Sequence, residues 1–223
     1  MTIAIELDDL PDLESRLQRV ADMAIEIERL PDNRYVPMGS ELSDIEWYSL
    51  CAVIKSGAHA QAFCRAIRER NTVAAGAMLR LQMDVAMRLN GLKYFVDIEA
   101  AGASLMAGVS YRSIPSKIGK LFDATLIEKL NADHPWVKGV YDGGNEDVHL
   151  SRTVIMRKMK RVGGMLFFNL RPTDEHVSEQ DYFHLVDTFF ITLRLTRDLL
   201  ASFLATRPGP DERARHKAAR ATS

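Results

Sequence analysis

Leu13, Leu17, Val20, Ala24, Ile27 and Leu30 recur every three or four residues. That spacing puts them on one helical face and predicts an amphipathic helix over residues 10–30, stopped by Pro31, with a charged and wet opposite face. A polar connector follows. Ser43 and Glu46 have capping-box spacing ahead of a second helix through Trp47, Leu50, Val53, Ile54, Ala58, Phe63 and Ile67. Residues 72–100, dense in Ala, Leu and Met, read as a central third helix of about seven turns. From 102 to 135 the pattern is broken by Gly, Ser and Pro, which suggests a lid or connector with one short helix over about 117–131. β-branched and aromatic residues flank Gly163 and Gly164, a hairpin signal, and a last long helix covers 179–205. Beyond it all apolar periodicity is lost.

The expected fold is therefore all-α: a single helical-bundle domain over 1–206 of about four main helices, with a small β-hairpin or loop insertion at about 152–172. A disordered basic tail is expected over 207–223. Net charge is −1, with 26% charged and 47% hydrophobic residues, so any attraction to nucleic acid or membrane must be local. The N-terminus lacks a signal-peptide pattern and no apolar run spans a bilayer, which leads to the expectation of a cytoplasmic protein without membrane contact. Cys51 and Cys64 have neither disulfide nor zinc spacing and read as buried reduced thiols. Surfaces this rich in Ala, Met and Leu are rarely left open, so a homodimer is expected.

Two stretches could carry chemistry. At about 100° per residue, Arg80, Asp84 and Arg88 form one stripe of the third helix, beside an apolar stripe of Met78, Leu81, Val85, Leu89 and Leu92. The charged stripe either lines an interior groove or is a ladder of i,i+4 pairs, each contributing about 0.2 to 0.5 kcal/mol on an exposed surface. The second stretch is "YDGGNEDVHLS". On a helix Tyr141, Asn145 and His149 would share a face, although two glycines weaken a helix by roughly 2 kcal/mol relative to alanine, so a loose or bent helix is predicted. An imidazole can exchange protons near neutral pH, with Tyr and Asn orienting it. It can equally be a buried hydrogen-bonding group tying this segment to the third helix.

"AAGAMLRLQMDVAMRLNGLKYF", followed by "HPWVKGVYDGGNEDVHLS", resembles a group of uncharacterised bacterial helical proteins with an Arg-rich central helix. Those proteins carry a later pattern of Tyr, three residues, Ser, three residues, His, one residue, Ser. Tyr141, His149 and Ser151 match it, and Asn145 takes the place of the Ser. The resemblance covers residues 72–151. These proteins are similar in turn to the HEPN domain, a helical bundle often dimeric in bacterial toxins and phage-defence systems. RNA-cleaving members use an Arg followed by His at the dimer interface. Here "KGVYDGGNED" precedes His149, with Lys138 as its only basic residue, so the resemblance implies an Arg from elsewhere, Arg80 or Arg88. His149 would then act as general acid or base for attack of a ribose 2′-hydroxyl on the adjacent phosphate, the guanidinium stabilising charge at phosphorus without a metal.

Between Leu150 and Arg171 stand six basic residues, Arg152, Arg157, Lys158, Lys160, Arg161 and Arg171, and no acidic one. They are candidate phosphate contacts for RNA, extended by Arg213, Arg215, Lys217 and Arg220. The alternative is a solvated basic hairpin balancing the acidic start, Glu6, Asp8, Asp9, Asp12 and Glu14. No phosphate loop, dinucleotide fingerprint or nucleophile elbow is present, so no cofactor is expected. His134 with His149, or His176 with His184, lack a ligand-spaced carboxylate or Cys for a metal, and Trp136 reads as a core anchor. Two functions follow as expectations. One is a HEPN-like RNA-cleaving or RNA-binding protein of a toxin or phage-defence system, with an antitoxin or other partner protein. The contrasting one is a non-catalytic interaction module in which Tyr141, Asn145 and His149 form a structural hydrogen-bond network.

Overall fold

The first long helix, α1 (Leu13–Arg29), begins where Asp12 accepts the Ser15 amide at 2.8 Å and buries Leu17, Val20, Met23 and Ile27. In the computed structural model, residues 10–32, 36, 41–149, 151–174, 177–209 and 212 are described, with Thr153, Arg157, Lys160 and Val162 described in backbone only. α2 (Asp44–Arg68) opens with the reciprocal Ser43/Glu46 capping box, and the Ser43 amide reaches Glu46 Oε2 at 2.8 Å. α3 (Thr72–Gly91) is capped by the Asn71 side chain. After α4 (Ile98–Met106), α5 (Asp123–Asp133), α6 (Val137–Val148) and α7 (Arg152–Arg157), the chain enters a hairpin and closes with α8 (Glu179–Ala205). Among the described residues there are thus eight α-helices rather than about four. The four long ones form a ring in which α1 and α3 each pack on both α2 and α8. Phe63 and Phe189 stack at 3.9 Å between ring centroids in the core of that ring.

The third helix is shorter than its apolar density predicts. It stops at Gly91, where the chain tightens into a 3₁₀ turn over Leu92–Tyr94. The reason is a change of partner at the helix end: the Leu92 amide bonds back to the Leu89 carbonyl, and the freed Arg88 carbonyl accepts the Tyr111 hydroxyl at 2.8 Å. Helix ends need such substitutes for their unpaired carbonyls. Asp97 then caps α4 through the amides of Glu99 and Ala100, both at 3.0 Å. Gly102 lies inside α4, buried where a Cβ would stand 2.7 Å from Ile45 Cβ. The segment from residue 102 therefore begins as a helix packed on α2, and the short helix beyond it is α5, starting at Asp123.

Three further expectations are corrected. The charged face of α1 is not all wet: Arg16 is buried against Asp187 of α8, Arg19 reaches the same carboxylate at 2.6 Å, and their guanidiniums cover Phe183 and Phe190 at 4.4 Å each. Cys51 is exposed, whereas Cys64 is buried. Arg207, assigned to the tail, is bound to Glu99 and stands 3.6 Å from Glu46, fastening the end of α8 beside the start of α2. The rest of that tail (210, 211 and 213–223), the acidic residues Glu6, Asp8 and Asp9, and His176 lie outside the described residues.

The hairpin consists of β1 (Met159–Val162) and β2 (Met165–Phe168), antiparallel, with Val162 opposite Met165. Gly163 and Gly164 have φ of +57° and +80°, the positive angles a two-residue type I′ turn requires.

Candidate functional site

α6 lies against α3, and the closeness is set by two glycines, one from each helix. A Cβ on Gly144 would stand 2.9 Å from Arg80 Cβ and 3.3 Å from Arg80 Cα, and a Cβ on Gly76 would collide with the Asp147 carboxylate. This approach lets Arg80 reach across. Its Nε donates to Asn145 Oδ1 at 2.7 Å and its Nη2 to the Tyr141 hydroxyl at 2.6 Å, with the guanidinium carbon 3.8 Å from the Tyr141 ring centroid. Asp84 is more distant, at 3.9 Å from Nη1. The Arg80 side chain is only 13% exposed, so these contacts act in a weakened dielectric where charge-assisted bonds gain strength.

His149 stands outside this group. α6 ends at Val148, and His149 follows as an extended residue with φ −107° and ψ 159°. Extrapolating the i, i+4, i+8 face therefore fails at its third member. Its backbone amide still bonds to the Asn145 carbonyl at 3.2 Å, but the residue is exposed and its imidazole makes no hydrogen bond among the described residues. Ser151, which completed the motif, acts locally, its hydroxyl capping α7 by accepting the Val154 amide at 3.3 Å.

The remaining residues of the charged stripe pair with each other and with α5. Arg88 binds Asp84 at 2.9 Å and Asp123 at 3.1 Å. Burial opposes the charge of Arg88, but the bond to Asp84 and the attraction of both carboxylates outweigh it and raise its pKa further. Asp84 and Arg88 also line a cavity of about 390 Å³ with Tyr48, Cys51, Lys55 and Tyr111. Burial pushes the phenols of Tyr48 and Tyr111 above the usual range, so both stay protonated at neutral pH.

The basic segment divides. Lys158 is 10% exposed and its ammonium stands 2.5 Å from Asp174 Oδ1, while donating to the carbonyls of Arg171 and Pro172, both at 3.1 Å, and Thr173 at 3.3 Å. Asp174 is buried and also accepts the amide of Thr72 at 2.9 Å and its hydroxyl, at the start of α3. Burial alone would raise the Asp174 pKa, but the bonds from Lys158 and Thr72 prevail and lower it. Lys158 is thus the root of the hairpin, with its ammonium engaged by Asp174 and three backbone carbonyls. Arg152, Arg161 and Arg171 are exposed, and the side chains of Arg157 and Lys160 lie outside the described residues.

Sequence reasoning missed a polar link inside the bundle. Gln82, fully buried, donates to Ser56 and Thr196 at 2.9 Å each, and its Oε1 meets His59 Nδ1 at 3.0 Å. An amide between Leu81 and Met83 in an apolar helix was the available signal, since buried polar groups need partners. It also missed how exposed the hairpin's apolar residues are: Met165 is 64%, Leu166 57% and Leu170 85% exposed. Among the described residues no group of three or more His, Cys, Asp or Glu could hold a metal ion, and no helix is long and apolar enough to cross a membrane. No family model, curated protein or solved structure matches this chain.

Proposed function

We propose that this protein is a non-catalytic interaction module, a helical bundle that presents the α7 and hairpin segment as its working arm. The observation that carries this reading is the division between the two regions. In the bundle, Arg80 is held by Tyr141 and Asn145, Arg88 by Asp84 and Asp123, and neither is joined to His149. On the arm, the ion pair of Lys158 with Asp174 anchors a hairpin whose large apolar side chains face solvent. Exposed apolar patches of several hundred Å² mark interaction sites.

A second reading is favoured by one observation. His149 and Arg152 are both exposed at the foot of the arm and neither has a side-chain partner among the described residues. That is what a HEPN-like RNA-cleaving protein of a toxin or phage-defence system needs if its site is completed by another molecule. The two readings separate when the wild-type protein, His149→Ala and Arg80→Ala are incubated with labelled RNA in EDTA, with equal loading of folded protein. The interaction module leaves RNA intact in all three. Cleavage by the wild type that disappears in His149→Ala establishes the enzyme instead.

A further inference from the structure

We infer that the arm joins two copies of this chain by edge-to-edge pairing of β2 with β2 of a second copy, an inference that rests on reading the arm as an interaction surface. The backbone supplies the first argument. With a two-residue turn, Val162 with Met165 and Lys160 with Phe167 are the pairs that exchange hydrogen bonds, and the Asn169 amide continues the ladder to the Lys158 carbonyl at 2.9 Å. The N–H and C=O groups of Leu166 and Phe168 consequently point away from β1 and, among the described residues, form an open edge. Open strand edges are templates for another strand.

Area and charge select the occupant. Met165, Leu166, Phe167, Phe168 and Leu170 are 49% to 85% exposed. At roughly 150–250 Å² for a large side chain they leave on the order of 600 Å² of mostly apolar surface, divided between the two faces of the hairpin because successive strand side chains alternate, so that a second hairpin continuing the edge would extend an apolar face on each side. β2 carries no charge in four residues, so two copies meet without repulsion, whereas β1 contains Lys160 and Arg161 and its self-pairing would oppose like charges. A strand paired with itself about a two-fold axis is antiparallel and self-complementary. With the open groups of Leu166 opposite those of Phe168 in the second copy, the axis passes through Phe167. The two Phe167 then face each other at a non-hydrogen-bonded position, Cα atoms about 4.5 Å apart.

The test uses the full chain. Light scattering from about 1 to 100 µM, a range that covers ordinary dimer affinities, is expected to give twice the chain mass. Leu166→Pro removes one outward N–H and no rung to β1, and is expected to give a single-chain mass with unchanged helical circular dichroism and a Tm that no longer rises with protein concentration. In a Cys51→Ser background, Phe167→Cys should oxidise to a covalent dimer at least ~10-fold faster than Glu128→Cys on the exposed face of α5, because only the former meets disulfide geometry. A monomer at every concentration overturns the inference, as does a dimer indifferent to Leu166→Pro or a Phe167→Cys variant that cross-links no faster than the control. Monomeric protein that shifts on RNA or on a foreign strand peptide through β2 assigns the edge to that occupant and also overturns it. A monomer that leaves RNA intact removes the second copy while the arm reading stands; RNA cleavage that depends on His149 removes the arm reading whatever the mass.

Discussion

Gly143 and Gly144 are neighbours in α6, yet alanine should act on them with opposite sign. Nothing stands within 4 Å of a Cβ placed on Gly143. There, Gly143→Ala removes only the helix cost of glycine and should stabilise the protein by about 0.5–1 kcal/mol. At Gly144 the added methyl would lie 2.9 Å from Arg80 Cβ and 3.3 Å from Arg80 Cα, against the ~3.5–4.0 Å of a relaxed carbon contact. Because one of those atoms is backbone, relief requires α6 to move outward from α3 by roughly half an ångström or more. That shift stretches the Arg80 bonds to Asn145 and Tyr141, now 2.7 and 2.6 Å. Overpacking costs about 1–3 kcal/mol, which exceeds the same propensity gain, so Gly144→Ala should destabilise. The gap between the two variants should be about 2 kcal/mol, or roughly 4–8 °C in Tm for a domain of this size. Urea unfolding of both, with the wild type, measures it. Equal stabilisation by the two alanines would refute the close α3–α6 approach and, with it, the account of how Arg80 is held.

The Lys158→Met variant strands a buried carboxylate and should cost about 3–5 kcal/mol in urea unfolding; a loss under about 1 kcal/mol, with weakened RNA binding, would return Lys158 to the phosphate contacts. The folded Asp174 pKa is lowered, so its contribution is complete above about pH 3.9, the unfolded value, and is lost as pH falls through the folded value; Asp174→Asn should flatten stability in that acid range. Burial, only partly offset by the bond to Gln82, holds His59 below its ordinary value, with Lys55 lowering and Asp84 raising it further. Its neutral form is favoured on folding, so stability is intact above about pH 6.5 and declines as pH falls through the lower folded value. Urea midpoints at pH 7.5 and 5.0 should differ less in His59→Gln than in the wild type, and an unchanged difference would dismiss this linkage.

The long helices were legible from apolar spacing, joined at Ser43 by a capping box, and the Gly163-Gly164 turn announces its hairpin; the caps Asp12 and Ser178, which fix the starts of α1 and α8, emerged with the structure. What the chain does at Gly91 was not legible. Its end depends on Tyr111, twenty residues on, capping the Arg88 carbonyl, and nothing local encodes that. The same holds for Lys158, whose role is fixed by Asp174 and through it by Thr72, 102 positions away. At the candidate site, the shared face of Tyr141 and Asn145 followed from helical period alone, whereas the sequence left Arg80 and Arg88 open as the cation, and only the close approach at Gly144 singles out Arg80. His149 escaped the pattern because periodicity says which residues align while a helix lasts and does not mark where it stops.

That division of Tyr141, Asn145 and His149 is the central claim, and the melting of Asn145→Ala beside His149→Ala tests it most directly. Asn145→Ala leaves a charged, nearly buried Arg80 Nε without its acceptor and should lose about 1.5–3 kcal/mol. His149→Ala, removing an exposed side chain, should stay within about 0.5 kcal/mol of the wild type. Equal losses in the two variants, or a larger one for His149→Ala, would contradict the claim and restore His149 to the hydrogen-bonded group.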